Sequence, residues 1–470
     1  QNAFCITEPM TPRPWINYLG NRRLRAFVSQ NAGGLLWYRE PYSKRITRYH
    51  YTAAPGDRPG FYLYVRDRKT GEVWNPHFAP TCTTLDAFLC RHRPGVTEFV
   101  GRKNGLEVSL ALGVPPSDDV LLWNIQARNV GNATVNVELV SYMEFGLLEV
   151  MREAMGWCYL KNQFGLHFDP EIGAIRYDYH VFEAPFSPAM LVGCSEPLSG
   201  WECSREAFVG RTGGYDSPEA LRQGHSLGDS DLPLGGHACA VQGVDVALEP
   251  GATKQFGLAF VIAENWPAAE SLLARYRESA AIAAGFAEID EFWAGRLTGT
   301  AVVTGDETVD AMINTWIPYN SIVALDLART ISTDHMGIDG LRYRDTMQDA
   351  LAVANLDPDF ARQRIGQVFA TQTAEGGGCF SFFPDDDRPV CDVPRRCDNT
   401  VWPVYTVTNY LAETGNMDFL NHMMPYRDGS TGTVYEHIIM GLRYVYERRG
   451  PNGLPTLYHA DWNDGLALFQ

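Results

Sequence analysis

The stretch that decides the fold is residues 106–112, which read Leu-Glu-Val-Ser-Leu-Ala-Leu with an apolar side chain at every second position. A period of two is typical of a β-strand with one buried face. The same alternation recurs at residues 121–127 and 256–262, and a short aromatic run of the same type spans residues 61–65. Turns rich in Gly, Pro, Asn and Asp separate these runs. We therefore predict an N-terminal antiparallel β-sandwich over residues 1–264.

The apolar period changes after residue 264. Residues 265–304 are rich in Ala and Glu, Pro267 comes early in the segment, and Phe286, Ile289 and Trp293 follow at helical spacing. Pro is favoured in the first turn of a helix, and spacings of three and four place side chains on one helix face. We predict that residues 265–304 form a helical linker between two domains.

Helical spacing continues through residues 305–470. One predicted helix face consists of Val309, Met312, Ile313, Trp316 and Ile317. Asp357 and Pro358 predict a capped helix start, and Ser430 or Thr431 is expected to open a later helix. Successive helices of this length indicate a helical barrel or a bundle of hairpins, but only about four to six helical segments fit into this range. We expect an incomplete barrel here, as in a fragment, a nicked chain or one piece of a longer protein.

Composition narrows the classes of partner. The chain has 470 residues and a formal net charge of −17. Such a charge repels nucleic acid phosphates and anionic lipid surfaces, so we expect neither as a partner. No run of residues approaches the roughly 18 apolar positions that a membrane span requires.

The cysteines predict a reducing environment. There are ten of them, and none forms a CxxC pair. In a long chain this pattern indicates reduced thiols and a cytoplasmic location. Cys379, Cys391 and Cys397 come nearest to a metal cluster, but their spacing matches no zinc pattern. We predict no metal site.

Two carboxylates, an amide and an indole are adjacent in the segment Asp461-Trp462-Asn463-Asp464. Cleavage of a glycosidic bond needs a carboxylic acid that protonates the departing oxygen. An aromatic wall packs against a pyranose ring and keeps such an acid poorly hydrated, which raises its pKa. The competing interpretation is an ordinary pair of loop or capping aspartates.

A second cluster of charge spans residues 341–349 and includes Arg344 and Asp345. An arginine and an aspartate together can hydrogen-bond several hydroxyls of one sugar, because one donates and the other accepts. The alternative is a surface ion pair at a helix start, with Asp345 as the cap.

Further segments accompany these two motifs. In chain order they are residues 14–20 (Pro-Trp-Ile-Asn-Tyr-Leu-Gly), 31–34 (Asn-Ala-Gly-Gly), 57–60 (Asp-Arg-Pro-Gly), 62–67 (Tyr-Leu-Tyr-Val-Arg-Asp), 312–316 (Met-Ile-Asn-Thr-Trp) and 434–437 (Val-Tyr-Glu-His). In this order and spacing, essentially the whole chain resembles the inverting disaccharide phosphorylases of glycoside hydrolase family 94, which include cellobiose and chitobiose phosphorylases. The early segments are more similar to the chitobiose enzymes.

The resemblance implies a fold and a set of site residues. The fold is an N-terminal β-sandwich, a helical linker, a catalytic (α/α)6 barrel and a small C-terminal β-domain. The general acid falls on Asp464, and the indole that lines the subsite of the sugar to be phosphorylated falls on Trp462. Arg344 and Asp345 are implied to bind the same sugar. An upstream arginine of the chitobiose enzymes matches Arg329, at a spacing one residue shorter.

Two departures from the family pattern lie near the expected pocket of the donor sugar. Residues 336–340 (Met-Gly-Ile-Asp-Gly) replace a Gly-Gly-Arg of the chitobiose enzymes, and Arg342 is a candidate for compensation. Residues 397–402 (Cys-Asp-Asn-Thr-Val-Trp) replace a double aspartate before a tryptophan. The identity of the sugar is therefore less determined than the class of reaction.

The implied reaction is inverting phosphorolysis of a chitobiose- or cellobiose-like β-linked disaccharide to an α-sugar 1-phosphate and a free sugar. Inorganic phosphate is the co-substrate and no cofactor is expected. The phosphate ligands of the family lie mainly beyond residue 470, so this chain alone is expected to be inactive. The resemblance also implies a homodimer.

Two alternatives remain at this stage. An inverting glycoside hydrolase on the same barrel would need a second carboxylate to activate water, for which Asp345 and Asp349 are the candidates. A carbohydrate-binding or scaffold protein would keep the sandwich and lack catalysis. Turnover measured with and without phosphate distinguishes the phosphorylase from the hydrolase.

Overall fold

A computed structural model describes residues 3–49, 57–148, 164–179, 187–233, 235–297, 299, 301–327, 331–332, 335–336, 340–384, 390–392, 396 and 398–456. The chain divides into two compact units, Gln1–Trp293 and Ala294–Gln470. The first unit is built mainly of strands and the second mainly of helices. The predicted multidomain organisation, with an antiparallel sandwich followed by a helical region, is confirmed.

Eighteen described strands make up the sheets of the first unit. They are β1 (Phe4–Ile6), β2 (Ile16–Gly20), β3 (Leu24–Ser29), β4 (Gly34–Tyr38), β5 (Arg45–Thr47), β6 (Tyr62–Asp67), β7 (Val73–Trp74), β8 (Ala87–Arg93), β9 (Val96–Lys103), β10 (Leu106–Gly113), β11 (Val120–Asn129), β12 (Val135–Leu148), β13 (Phe164–Asp169), β14 (Ala174–Tyr179), β15 (Ala189–Cys194), β16 (Gly200–Ser204), β17 (Ala238–Leu248) and β18 (Thr253–Ala263).

These strands form two nine-stranded sheets. The first has the order β1-β8-β9-β10-β11-β18-β15-β14-β13. The second has the order β16-β17-β12-β5-β4-β3-β2, with β6 paired to β12 and β7 paired to β6. Neighbouring strands pair antiparallel in both sheets, as hairpin connections allow.

The alternation that decided the prediction marks the core face of the first sheet. In β10 buried and half-buried residues alternate from Leu106 to Leu112, and Leu110 lies opposite Ile125 of β11. Both side chains are fully buried and belong to the hydrophobic core cluster. Complete burial of such a side chain contributes about 1.5–3 kcal/mol. The alternation of apolar residues therefore identifies the face of each strand that packs against the core.

One buried carboxylate of β12 binds side chains from its own strand and from two segments outside the strands. Glu144 of β12 accepts hydrogen bonds from Tyr142 at 2.5 Å and Tyr215 at 2.8 Å, and Arg48 pairs with it at 2.7 Å. Burial alone would raise the pKa of Glu144, but Arg48 and the tyrosine hydroxyls hold it below its ordinary value. A charge this deep is tolerated only when it is paired and hydrogen-bonded. The network is therefore part of the packing of the sandwich.

Three helices belong wholly or largely to the first unit: α1 (Arg205–Phe208), α2 (Trp266–Arg275) and α3 (Ser279–Arg296). The segment predicted as a helical linker thus forms α2 and α3. Asn265 caps α2 by accepting from the N–H of Ala268 at 3.0 Å, and Pro267 lies in the first turn.

Both long helices pack on the first sheet where strand glycines allow close approach. A Cβ atom on Gly193 of β15 would come within 2.8 Å of Leu273 in α2. A Cβ atom on Gly257 of β18 would come within 2.4 Å of Ile282 in α3. These glycines lack the atom that would push the helices away from the sheet. The proposed boundaries at residues 264 and 304 stay predictions.

The described helices of the second unit are α4 (Glu307–Ala311), α5 (Ile317–Leu327), α6 (Tyr343–Val353), α7 (Pro358–Phe369), α8 (Trp402–Thr414) and α9 (Val434–Glu447). Short two-residue and three-residue strands accompany them: β19 (Ile331–Ser332), β20 (His335–Met336), β21 (Leu341–Arg342), β22 (Ser381–Phe382), β23 (Met423–Pro425) and β24 (Thr431–Thr433). Helix α6 contacts α5, α7 and α8. The (α/α)6 barrel and its incompleteness stay predictions.

A π-helix at Met312–Trp316 joins α4 to α5. The predicted apolar face is largely exposed here, with Met312 at 42% and Ile317 at 54%, whereas Tyr319 and Leu325 are buried. A π turn has more residues than an α turn, so it rotates the stripe away from the direction that a period of 3.6 predicts.

Helix starts agree with the prediction in one case and differ in another. Asp357 caps α7 through the N–H of Phe360 at 3.1 Å, as predicted. Helix α9 begins at Val434, with Thr433 as the cap in a capping box with Glu436. Ser430 and Thr431, which were expected to open it, instead belong to the β23–β24 hairpin.

Eight cysteines lie in the part of the chain that the structure describes, and all eight are free thiols. None of the described helices combines the length and apolar character needed to cross a bilayer.

Candidate active site

Two of the five predicted site residues can be placed. Arg344 and Asp345 lie in the first turn of α6. Asp464, Trp462 and Arg329 lie outside the described residues, so their roles stay predictions.

Helix α6 begins where a short strand pair fixes the chain. Leu341 of β21 pairs with Phe382 of β22, and Arg342 then takes the N-cap position of the helix. Asp345 stands in the first turn, where the positive end of the helix dipole favours a carboxylate. It is only 7% exposed, and the cap is Arg342, so Asp345 is not the exposed capping residue of the alternative interpretation.

Arg344 pairs with a carboxylate that is 54 residues away in sequence. Its Nη1 donates to Oδ2 of Asp398 at 3.2 Å. The indole Nε1 of Trp402 donates to the same oxygen at 3.1 Å. Both members of the ion pair are largely shielded, with 17% of the Arg344 side chain and 27% of the Asp398 side chain exposed. A guanidinium, a carboxylate and an indole therefore meet at the start of α6.

The loop that carries Asp398 is held by its neighbours. Asn399 donates from its amide to the main-chain oxygen of Cys379 at 2.7 Å. Thr400 donates to the main-chain oxygen of Gly441 at 3.1 Å. These two bonds hold the short 3-10 helix Asn399–Val401 in place. Asp398 directly precedes this helix, so its position is fixed as well.

Two side-chain hydrogen bonds tie α8 to α6. Thr406 donates to the main-chain oxygen of Met347 at 2.8 Å, and Asn409 donates to that of Leu351 at 3.1 Å. Arg344 lies on α6 and Asp398 lies just before the 3-10 helix that leads into α8. These two bonds therefore hold the elements on which the pair depends.

An apolar wall lies beside this pair. Tyr343 is fully buried, and Gly378 faces its ring so closely that a Cβ atom would stand 3.2 Å away. Burial raises the pKa of the Tyr343 hydroxyl well above its ordinary range. Burial likewise raises the pKa of the neighbouring Cys379 thiol to about 12. Neither group ionises near neutral pH, so both act as neutral packing.

Additional cationic side chains surround the start of α6. The guanidinium of Arg342 lies 5.0 Å from the ring centre of Phe380, and that of Arg396 lies 5.4 Å from the same ring. Two guanidinium groups therefore approach the same aromatic ring in a protein whose net charge is −17. Such a cluster suits anionic or polyhydroxylated ligands.

The candidate base of the hydrolase alternative can also be placed. Asp345 and Asp349 are spaced by four on α6 and lie on the same helix face. They are 7% and 8% exposed. Both carboxylates are therefore largely covered by the residues around α6.

Sequence reasoning noted residues 397–402 only as a departure from the family pattern and did not find the role of Asp398. The signal available was an aspartate four residues before a tryptophan at a helix start, which brings both side chains to one face. Its partner Arg344 is too distant in sequence for any local rule to pair the two.

Metal binding has little support in the described part of the chain. Among those residues no group of three or more His, Cys, Asp or Glu side chains converges to hold an ion. The Cys379 thiol is buried and donates to Thr371 at 3.2 Å, whereas Cys391 is exposed and Cys397 falls outside the described ranges.

Comparison with known families covers both units. The glycosyl hydrolase 94 supersandwich domain matches residues 2–279, and the glycosyl hydrolase 94 superfamily catalytic domain matches residues 292–470. The chain belongs to the glycosyl hydrolase 94 family. The resemblance inferred from the sequence motifs is thereby confirmed.

Curated relatives of this glycosyl hydrolase 94 chain include phosphorylases. An N,N'-diacetylchitobiose phosphorylase of Vibrio furnissii is 28% identical over 99% of this chain and 60% of its own length. A solabiose phosphorylase of Paenibacillus borealis is 28% identical over 99% of this chain and 58% of its own length. The chain thus spans about 60% of the length of these relatives.

A solved structure shares the fold. A human-microbiome protein provisionally named kojibiose phosphorylase gives a TM-score of 0.54 at 9% identity, over 95% of this chain and 60% of that one. At this identity the likeness concerns the fold alone.

Proposed function

We propose that the protein carrying this chain cleaves a chitobiose- or cellobiose-like β-linked disaccharide with inorganic phosphate and inverts the anomeric centre. The products are an α-sugar 1-phosphate and a free sugar. The observation that carries the proposal is the likeness to a diacetylchitobiose phosphorylase along 99% of the chain. The pairing of Arg344 with Asp398 at the start of α6 supports it, because that pair holds a sugar-binding candidate in place.

Each proposed residue has one task in the reaction. Asp464 gives its proton to the bridging oxygen as the glycosidic bond breaks, while phosphate attacks the anomeric carbon from the opposite face. Trp462 packs against the sugar that becomes phosphorylated, and Arg329, Arg344 and Asp345 hydrogen-bond its hydroxyls. Phosphate is already anionic, so the second carboxylate that an inverting hydrolase needs for water is dispensable.

The same proposal covers the surroundings of the reaction. Phosphate is a co-substrate and no cofactor takes part. We further propose that the enzyme is a cytoplasmic homodimer, which light scattering of the complete protein tests directly.

The decisive experiment mixes the complete protein with a panel of α-sugar 1-phosphates and acceptor sugars and follows the release of inorganic phosphate. The forward reaction is then run on the disaccharide found, with and without phosphate, and phosphorus NMR identifies the anomer of the product. Disaccharide cleavage without phosphate would instead identify the hydrolase. Sugar binding with no turnover in either assay would leave the carbohydrate-binding alternative.

A further inference from the structure

We propose that Asp398 is a positioning residue for Arg344: it holds the guanidinium by one nitrogen so that the other donors face the sugar. This inference rests on the proposed function, since it takes Arg344 as a sugar ligand. Asp398 itself is assigned no contact with substrate.

The contact between the two residues uses one atom of each. Nη1 of Arg344 donates to Oδ2 of Asp398 at 3.2 Å. Among the described residues, Oδ1 of Asp398 is buried and has no hydrogen-bond partner. An arginine and a carboxylate commonly form two parallel bonds instead. Here the pair is monodentate.

Trp402 shares the oxygen that Arg344 uses. Its indole donates to Oδ2 at 3.1 Å. Two donors therefore hold Oδ2 from two sides, and Oδ1 takes part in neither bond. The bond to Asp398 uses Nη1, and among the described residues Nε and Nη2 of Arg344 form no hydrogen bond. Those donors are left for ligand hydroxyls.

The frame behind the pair is rigid. Thr406 and Asn409 clamp α8 to α6, and Asn399 fixes the loop between Asp398 and α8. A long arginine side chain loses considerable conformational entropy when it is ordered. Asp398 supplies that ordering before the sugar arrives, which lowers the cost of binding.

The test is a double-mutant cycle on the complete enzyme with Asp398→Asn, Arg344→Ala and the double variant. Asp398→Asn keeps the shape but removes the charge. We expect it to raise KM for the disaccharide about tenfold and to change kcat much less. In the Arg344→Ala background the same change should have almost no further effect, because the group that it positions is gone.

Two further variants serve as an independent test and as a control. Trp402→Phe keeps an aromatic ring but removes the pyrrole part of the indole with its N–H, so it should raise KM in the same direction by a smaller factor. Asp392→Asn breaks a comparable pair, in which Arg427 donates to both carboxylate oxygens at 2.7 and 2.8 Å on the surface. That control should leave KM and kcat unchanged.

An unchanged KM in Asp398→Asn would overturn the proposal. So would an effect of equal size with and without Arg344, which indicates general support of the fold. If Asp398→Asn does not fold, Trp402→Phe decides: a wild-type KM in that variant refutes the arrangement.

Failure of the proposed function gives a different result. If the complete protein cleaves the disaccharide with water, the cycle is read from sugar release and the positioning role stands or falls by itself. If it binds sugar without turnover, the same cycle is measured on the dissociation constant by calorimetry. If it uses phosphate while Asp398→Asn is silent, only the positioning role fails.

Discussion

The main-chain N–H of Leu63 donates to Nε2 of His77 at 2.9 Å inside the sandwich. The other ring nitrogen lies 2.5 Å from the main-chain oxygen of Ala79, to which it donates. The first contact requires an unprotonated Nε2, so His77 must be neutral. Burial lowers its pKa from 6.5 to about 3.

This arrangement makes the sandwich sensitive to acid. Between pH 6.5 and about 3 the unfolded chain binds a proton at residue 77 and the folded chain does not, so stability falls as the pH falls. His77 alone should cost about 2 kcal/mol between pH 7 and pH 5. Hydrogen exchange of the sandwich amides at both pH values measures the effect in wild type and His77→Gln.

The glutamine variant should lose the share of about 2 kcal/mol that His77 contributes between pH 7 and pH 5, even if it is less stable at both pH values. His225→Gln changes an exposed histidine and serves as the matched control. A His77→Gln protein with the acid sensitivity of the wild type would contradict the argument. The buried His92, whose pKa burial lowers to about 4, should keep a residual slope in both variants.

Asp464→Asn in the complete enzyme should lower phosphorolysis of the disaccharide by about 10²–10⁴-fold and leave sugar binding largely intact. An amide cannot supply the proton that the bridging oxygen needs. Phosphate release gives the rate and calorimetry gives the binding. A β-glycosyl fluoride needs less protonation on leaving, so the variant should recover much of its rate with that donor. Near-normal cleavage of the disaccharide would refute the assignment.

Thr433→Ala should destabilise the helical unit by about 1 kcal/mol, because it removes the side chain that accepts from the N–H of Glu436. Chemical denaturation followed by circular dichroism measures the loss. Thr431→Ala is the matched control, since Thr431 is exposed in β24 and was the sequence-based candidate for this cap. An equal loss of stability in the two variants would contradict the assignment of Thr433 as the cap.

Gly257→Ala should destabilise the sandwich by about 1–3 kcal/mol through overpacking. The new methyl group would stand 2.4 Å from Ile282 and 2.5 Å from the main-chain oxygen of Trp123. Gly165→Ala, in strand β13 with open space around the added atom, is the control and should be nearly neutral. Hydrogen exchange of α3 reports whether the helix loosens, and unchanged protection would argue against the close packing.

The strands could be predicted from the sequence because their periodicity has a direct physical cause. Leu110 and Ile125 are apolar since they face the same core, whereas Ser109 and Asn124 beside them are polar and only half-buried. The start of α7 was equally readable, because the cap at Asp357 depends on residues within one turn. Such local causes leave local patterns.

Other features depend on partners distant in sequence. Helix α9 begins at Val434 after the cap Thr433, and not at Ser430 or Thr431 as predicted, because the β23–β24 hairpin uses the earlier residues. The pairing of Arg344 with Asp398 depends on how α6 and α8 pack. Met312 is exposed because it lies in a π-helical turn, whereas the prediction assumed an α-helix with 3.6 residues per turn. Each of these needs tertiary information.

The bonds that join α8 to α6 end on the main-chain oxygens of Met347 and Leu351, an acceptor that nearly every amino acid supplies equally. The two hydrogen bonds themselves therefore place no requirement on the side chains at 347 and 351. Substitutions at these two positions can change the packing while the acceptor atoms that join the two helices stay in place.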